Sequence, residues 1–395
     1  MRRSLPLAIL LMTGCAQTAA SNAPVPVPAP TVAPTIAPVG TGAPKIPLRG
    51  LIDMQDIAWH NTDAGQPVFD IGDVDAFPGL FGGVVINATW SQMQPAQGGT
   101  VDYTAVDAAL KDVADYNSAN ASAPIGVKLH IYGGNSAPQW AKGLGGAKVI
   151  IYRNPAGCGG QIDTCRLTVG RFWTQPYIDA WRAFQAKVAA NYDSNPLIRA
   201  VAVTSCASQT DEPFVATTGP VGKADLSAAG YSDAAEQACL TGATDDYSAW
   251  KQTGIDFTFN AYENFGSTGT DAAFTKSVMA LCRRKAAAGC VLDNHALQTP
   301  IANDRAIYDA IEARGGIINF QTQSPEGMGC IWPETITQGL ILGARAIEVW
   351  PETQYHGFMT LSVPEVASLR ALFYDPVPAS TPVPNPLPTP CSGFN

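Results

Sequence analysis

Eight short apolar runs along the chain carry polar residues on one parity of their alternation. In Val127-Lys128-Leu129-His130-Ile131-Tyr132, a strand would send Val127, Leu129 and Ile131 to one face. Lys128, His130 and Tyr132 would then share the other. The same split recurs at Val85/Asn87/Thr89, Asp256/Thr258/Asn260/Tyr262, Asp293/His295, Asn319/Gln321/Gln323 and Glu348/Trp350. The pattern predicts strands over 51–54, 83–89, 125–132, 198–205, 255–262, 290–297, 316–323 and 344–351. Most of the intervening segments have helical periodicity. Val106, Leu110 and Val113 share a face, as do Tyr177, Trp181, Phe184 and Val188, and Ile307 with Ile311. Strands alternating with helices predict a parallel sheet covered by helices. An open sheet of that kind would be apolar on both faces. A polar face on so many strands predicts a closed (β/α)8 TIM barrel, an α/β fold. Its ligand chemistry belongs at the C-terminal ends of the strands.

Composition fits this picture and narrows the partners. The chain has 395 residues, 46% hydrophobic and 14% charged, enough for one barrel with insertions and a packed core. Net charge is −9 and the longest basic run after Arg3 is the three-residue Arg283-Arg284-Lys285, so no nucleic-acid partner is expected. Oligomeric state is not legible. Residues 15–47 are rich in Pro, Ala and Val and predict a semi-extended tether; residues 376–395 form a Pro-rich tail. The barrel is assigned to 48–375.

Arg2 and Arg3 precede a short apolar stretch, Leu5 to Met12, that ends in Thr13-Gly14-Cys15. It is too short to span a bilayer and predicts an export signal over 1–14. The junction resembles a bacterial lipoprotein signal, with Met12 where Leu is more usual. That resemblance implies cleavage before Cys15, lipidation of its thiol and a membrane-anchored protein of the cell envelope. The expected result is an acylated Cys15 at the mature N-terminus by mass spectrometry. Cleavage after Ala19 or Ala20, or an unmodified Cys15, would contradict it.

Nine cysteines also fit export. Eight remain after lipidation. Cys158 and Cys165 flank a Gly-rich turn and predict a stapled hairpin insertion; Cys206/Cys239, Cys282/Cys290 and Cys330/Cys391 are further candidate pairs.

Candidate chemistry lies at the predicted strand ends. Trp90, Pro95, Gly98 and Asp102-Tyr103 follow the second strand, Pro138-Gln139-Trp140 the third, and Asp211-Glu212-Pro213 the fourth. These segments, with the Tyr177 helix, resemble the (β/α)8 glycoside hydrolases of the cellulase and β-galactosidase-like clan. The resemblance spans roughly residues 50–373. It implies hydrolysis of a β-linked oligo- or polysaccharide, with Glu212 as acid/base. Two departures stand out. Asp211 precedes Glu212 where the clan has Asn. The seventh strand carries Gln321-Thr322-Gln323, where the clan has a nucleophilic Glu.

Glycoside hydrolysis needs two carboxyls, about 5–5.5 Å apart for retention and about 6.5–9.5 Å for inversion. Glu348 is the first candidate for the partner, with Glu326 and Asp293 as alternatives. A carboxyl flanked by Ile347 and Val349 and aimed into a barrel must be hydrogen-bonded or have a shifted pKa. Lys128, His295 or Gln321 could hold it, and an ionised Glu348 is expected. Trp59, Trp90, Trp140 and Trp350 are candidate sugar platforms. Asn87, His130, Asn260, Tyr262, Asp293, His295 and Gln321 are candidate hydrogen-bonding contacts.

Other chemistries have less support. No Gly-rich phosphate loop or Gly-x-Ser-x-Gly elbow occurs, and no cofactor is expected. The four histidines, His60, His130, His295 and His356, lack zinc-helix spacing. No metal is expected, a site from Asp53, His130, Asp293 and His295 being the remote alternative. The missing strand-seven Glu motivates a second reading, a glycan-binding envelope lipoprotein without turnover.

Overall fold

The computed structural model describes residues 42–152, 166–212, 219–301, 304–323, 332–351 and 363–374. Cys15, Cys158, Cys165, Cys330, Cys391, Glu326 and His356 lie outside the described residues, as do Pro213 and Phe214.

Eight strands form the sheet: β1 (Gly50–Asp53), β2 (Phe81–Thr89), β3 (Gly126–Tyr132), β4 (Ile198–Ala202), β5 (Gly254–Thr258), β6 (Cys290–Asp293), β7 (Asn319–Gln321) and β8 (Ala346–Val349). Neighbours in sequence pair in parallel from β1 through β6, β7 pairs with β8, and β8 returns to β1. Parallel bridges Leu292↔Ile318 and Leu297↔Thr322 join β6 to β7. Gln321 N donates to Asn294 O there at 3.0 Å. The sheet is thus a nearly closed (β/α)8 barrel.

The alternation overruns the paired strands, by four residues at β5, which ends at Thr258 instead of position 262, and by four at β6, which ends at Asp293 instead of position 297. Backbone groups at the strand ends turn to other partners. Thr204 N, for example, donates to the Tyr247 hydroxyl at 2.8 Å.

The helices bury the faces that periodicity assigned. Thr104–Ala119 buries Val106, Leu110 and Val113. Gln175–Tyr192, with Pro in its first turn, buries Tyr177, Trp181, Phe184 and Val188. Arg305–Arg314 buries Ile307 and Ile311. These side chains pack on the outward strand residues, such as Leu129, Ile131 and Val201, in the main core. Among the described residues no helix is long and apolar enough to cross a membrane.

The barrel interior is split by side-chain chemistry. Ile52, Val85, Ala200 and Ala346, from β1, β2, β4 and β8, form a small second core. Lys128, Asp256, Asp293 and Glu348 bring charge inward from β3, β5, β6 and β8 and are fully buried.

Disulfides join Cys206 to Cys239 and Cys282 to Cys290. The first ties the segment after β4 to the helix Asp233–Asp246. The hairpin insertion is present after β3, where Val149–Tyr152 pairs antiparallel with Arg166–Val169. Asp63 pins the long segment after β1 onto this hairpin. Its carboxylate accepts from Thr168 N at 3.0 Å and lies 3.3 Å from Lys142 Nζ.

Candidate active site

A cavity of about 270 Å³ sits at the C-terminal ends of the strands. Its walls include Glu212, Glu348, His130, His295, Gln321 and Trp350, drawn from the strands β3, β7 and β8 and from the segments after β4, β6 and β8. Inward parity brings these residues together, because each stands on the polar side of its strand or just beyond it.

Other predicted residues stand behind this wall. Asn260 Nδ2 donates to Glu212 Oε1 at 2.7 Å, so Asn260 orients the carboxyl from behind. Asp293 is fully buried beneath the floor. Asn87 Nδ2 donates to Met54 O at 3.2 Å. Trp59 is half-buried and packs edge-on to Tyr132, with ring centroids 4.9 Å apart.

Three predicted contacts are not brought to the cavity. Trp90 is wholly buried in an aromatic nest with Trp140, Tyr177, Trp181 and Phe184. Trp140 lies over it, with Nε1 donating to Gln94 O at 3.1 Å. Both follow strand ends where the chain has already turned into the short helices Trp90–Met93 and Gln139–Lys142. Tyr262 is past the end of β5 and donates its hydroxyl to Asp233 Oδ1 at 2.8 Å.

The electrostatics follow from counting buried charge. Five acids, Asp211, Glu212, Asp256, Asp293 and Glu348, share the interior with the cations Lys128 and His295. Excess negative charge in a low dielectric is relieved by keeping protons. The two acids that flank His295 ionise. Its Nδ1 lies 3.4 Å from Asp211 Oδ1 and its Nε2 3.3 Å from Asp293 Oδ2. Burial opposes ionisation of both acids, but His295 and Lys128 outweigh it and hold them below the usual carboxylate range. Burial also opposes charge on His295, and Asp211 with Asp293 overcomes it, raising that imidazole to about 10.

The other three acids are pushed up. Burial is the main cause for Glu212, with Asp211 adding to it against His295 and Asn260. Burial does the same to Asp256 and Glu348, and Asp293 adds repulsion to both. Glu348 is held by Lys128, whose Nζ is 2.5 Å from Oε1, with the His295 charge as a smaller favourable influence. Its pKa moves upward despite these charges, with burial as the main cause. His130 is neutral, lowered by burial to about 3, and stacks on Tyr132 with centroids 4.0 Å apart.

The acids Asp256, Asp293 and Glu348 lie within 4.8 Å of one another, a spacing that could hold a cation. The Lys128 ammonium already stands against all three, at 3.6, 3.3 and 2.5 Å. Asp53 does not join His130 and His295; its carboxylate accepts from Gln55 N and Nε2.

Three ionisable cavity residues lacked a functional assignment from sequence. Asp211 read as a mere neighbour of Glu212, yet it sits between His295 and His130. Tyr132 was visible only as inward parity. His60 comes from the short 3-10 turn Ala58–Asn61, where no strand periodicity marks it.

No protein-family model matches the chain, and no curated protein matches it by sequence. Its backbone is similar to several solved glycosidase structures. Endo-glycoceramidase II from Rhodococcus sp. is 15% identical with a TM-score of 0.47, covering 77% of this chain and 73% of that one. An endo-beta-1,4-glucanase from Xanthomonas axonopodis pv. citri is 10% identical with a TM-score of 0.47, covering 83% and 99%. The catalytic domain of a beta-amylase from Paenibacillus polymyxa is 10% identical with a TM-score of 0.46, again covering 83% and 99%.

Proposed function

We propose that this protein is a glycoside hydrolase acting on an uncharged, β-linked oligo- or polysaccharide. One observation carries the reading. Two carboxyls, Glu212 and Glu348, line one cavity at the functional end of the barrel, and Glu212 is held toward its protonated form. A protonated carboxyl can donate to the departing glycosidic oxygen as the bond breaks. Glu348 supplies the second carboxyl, as nucleophile or as base for water. The half-buried Trp350 and the Tyr132 ring offer apolar surface to the C–H face of a sugar, while His130, His295 and Gln321 face its hydroxyls.

The preference for uncharged sugar follows from seven of the eight segments after the strands. Residues 54–80, 90–103, 203–218, 259–271, 294–304, 322–331 and 350–362 contain no Lys or Arg, whereas the segment after β3 does, with its Lys142 paired to Asp63. Apart from the His295 imidazolium, uronate or sulfate groups would meet carboxylates and no Lys or Arg from these seven segments.

A panel of purified polysaccharides tests the proposal. Release of reducing ends is expected from at least one neutral β-glycan, with uronates and sulfated glycans untouched. Turnover confined to anionic glycans would overturn the charge argument. Binding of a neutral glycan with no turnover would favour the second reading, a glycan-binding protein. The observation behind that alternative is Gln321 at the cavity wall, on the strand where the resembled clan carries its nucleophile.

A further inference from the structure

Four strands send a charged side chain to one point inside the barrel. Lys128 Nζ lies 2.5 Å from Glu348 Oε1, 3.3 Å from Asp293 Oδ2 and 3.6 Å from Asp256 Oδ1. The side chains are 0–3% exposed. An ammonium has three N–H donors, and three carboxyl groups surround this one. Asn319 Nδ2 donates to the other Asp256 oxygen at 2.8 Å, and His295 Nε2 stands 3.3 Å from Asp293 Oδ2. Of these four charged residues, Glu348 alone lines the cavity.

A cluster of this kind is a poor way to stabilise a fold. Apolar side chains of similar volume often do as well or better, because they avoid the desolvation cost of the ions. The same barrel interior also holds the apolar Ile52, Val85, Ala200 and Ala346. What a buried ammonium adds is control over one oxygen and one charge.

We propose that Lys128 is a positioning residue for Glu348. It clamps Oε1 at the cavity floor and, through Asp256 and Asp293, makes the charge on Glu348 depend on protons shared within the cluster. The catalytic consequence rests on the reading of Glu348 as the second carboxyl. The coupling itself does not.

The groups that face Glu348 fix the signs. Lys128 from β3 and His295 from the segment after β6 favour its ionised form, while Asp293 opposes it. Asp256 is itself pushed well up by burial, with Asp293 and Glu348 adding to it. Removing the carboxylate of Asp293 takes away that opposition and leaves more of the Lys128 charge to Glu348, so Asp293→Asn should let Glu348 ionise at lower pH. Lys128→Met should make it hold its proton to higher pH. A purely structural role predicts no such opposite pair.

Infrared difference spectroscopy of the carboxyl band across a pH series gives the midpoint without any substrate. The band is assigned to Glu348 by its loss in Glu348→Gln. The expected result is a downward shift in Asp293→Asn and an upward shift in Lys128→Met, each on the order of a tenfold change in proton affinity. An unmoved midpoint in Asp293→Asn overturns the proposal, and so do shifts of the same sign. If Lys128→Met does not fold, Asp293→Asn decides alone. With a substrate in hand, the acid limb of kcat should move with the midpoint while KM stays within about threefold. Opposite shifts together with a fully active Glu348→Gln would support the Lys128 coupling and overturn the catalytic role of Glu348.

Discussion

Replacing Glu212 by Gln should lower polysaccharide turnover by about 10²–10⁴-fold, the usual contribution of a positioned general acid. The substitution is nearly isosteric. Its side-chain carbonyl can still accept from Asn260 Nδ2, now at 2.7 Å from Oε1, so neither the local packing nor sugar binding should suffer much. What is lost is the proton. Burial holds that proton on Glu212 to higher pH than an exposed Glu would keep it. The acid form is the working form, so activity should fall as pH rises through the raised pKa of Glu212. In Glu212→Gln this basic limb should vanish along with most of the rate. Aryl glycosides with good leaving groups need little protonation, and the deficit in glycosidic bond cleavage should shrink for them. Full turnover of the polysaccharide by Glu212→Gln would remove the acid/base assignment.

Glu348→Gln should be at least as damaging, again on the order of 10²–10⁴-fold or more, because an amide neither attacks an anomeric carbon nor activates water. Its effect on stability has the opposite sign. The folded-state pKa of Glu348 is raised, chiefly by burial. A raised carboxyl contributes stability that is fully present below its unfolded value and is lost as pH rises through the folded value. Gln does not titrate, so the variant should escape that loss, and its amide oxygen can still accept from Lys128. At about pH 8 the variant should therefore melt no lower than the parent, with the comparison less favourable to it near pH 5. Loss of activity with retained stability is the pattern of a group placed for function at the expense of the fold. Thermal melts at both pH values, read beside kinetics, test the pair of expectations. Near-normal activity would move the second carboxyl elsewhere, with Glu326 in the segment after β7 as the next variant to make.

The alternation of side chains was enough to determine the barrel. Period-2 runs such as Val127 to Tyr132 state which face of a strand is polar, and the intervening helices state how the strands connect. Both are local properties of the chain, set by backbone geometry and burial, so they can be read without knowing any long-range contact. The placement of His130, Gln321 and Glu348 at the cavity follows from the same rule, while Asn87, Asn260 and Asp293 stand behind it.

The rule stops where the strands stop. Trp90 and Tyr262 lie just past strand ends, where parity no longer specifies direction. One is sunk in the aromatic core and the other is bonded to Asp233. The charge state of the site was also out of reach. Lys128, Asp256, Asp293 and Glu348 stand on four strands, with 165 positions between Lys128 and Asp293 and 220 between Lys128 and Glu348. No local pattern says that these side chains meet. Closure of the barrel decides it, and with it which acids find a cation. A pKa depends on the distance to every neighbouring charge and on exclusion of water, and both exist only once the chain has folded.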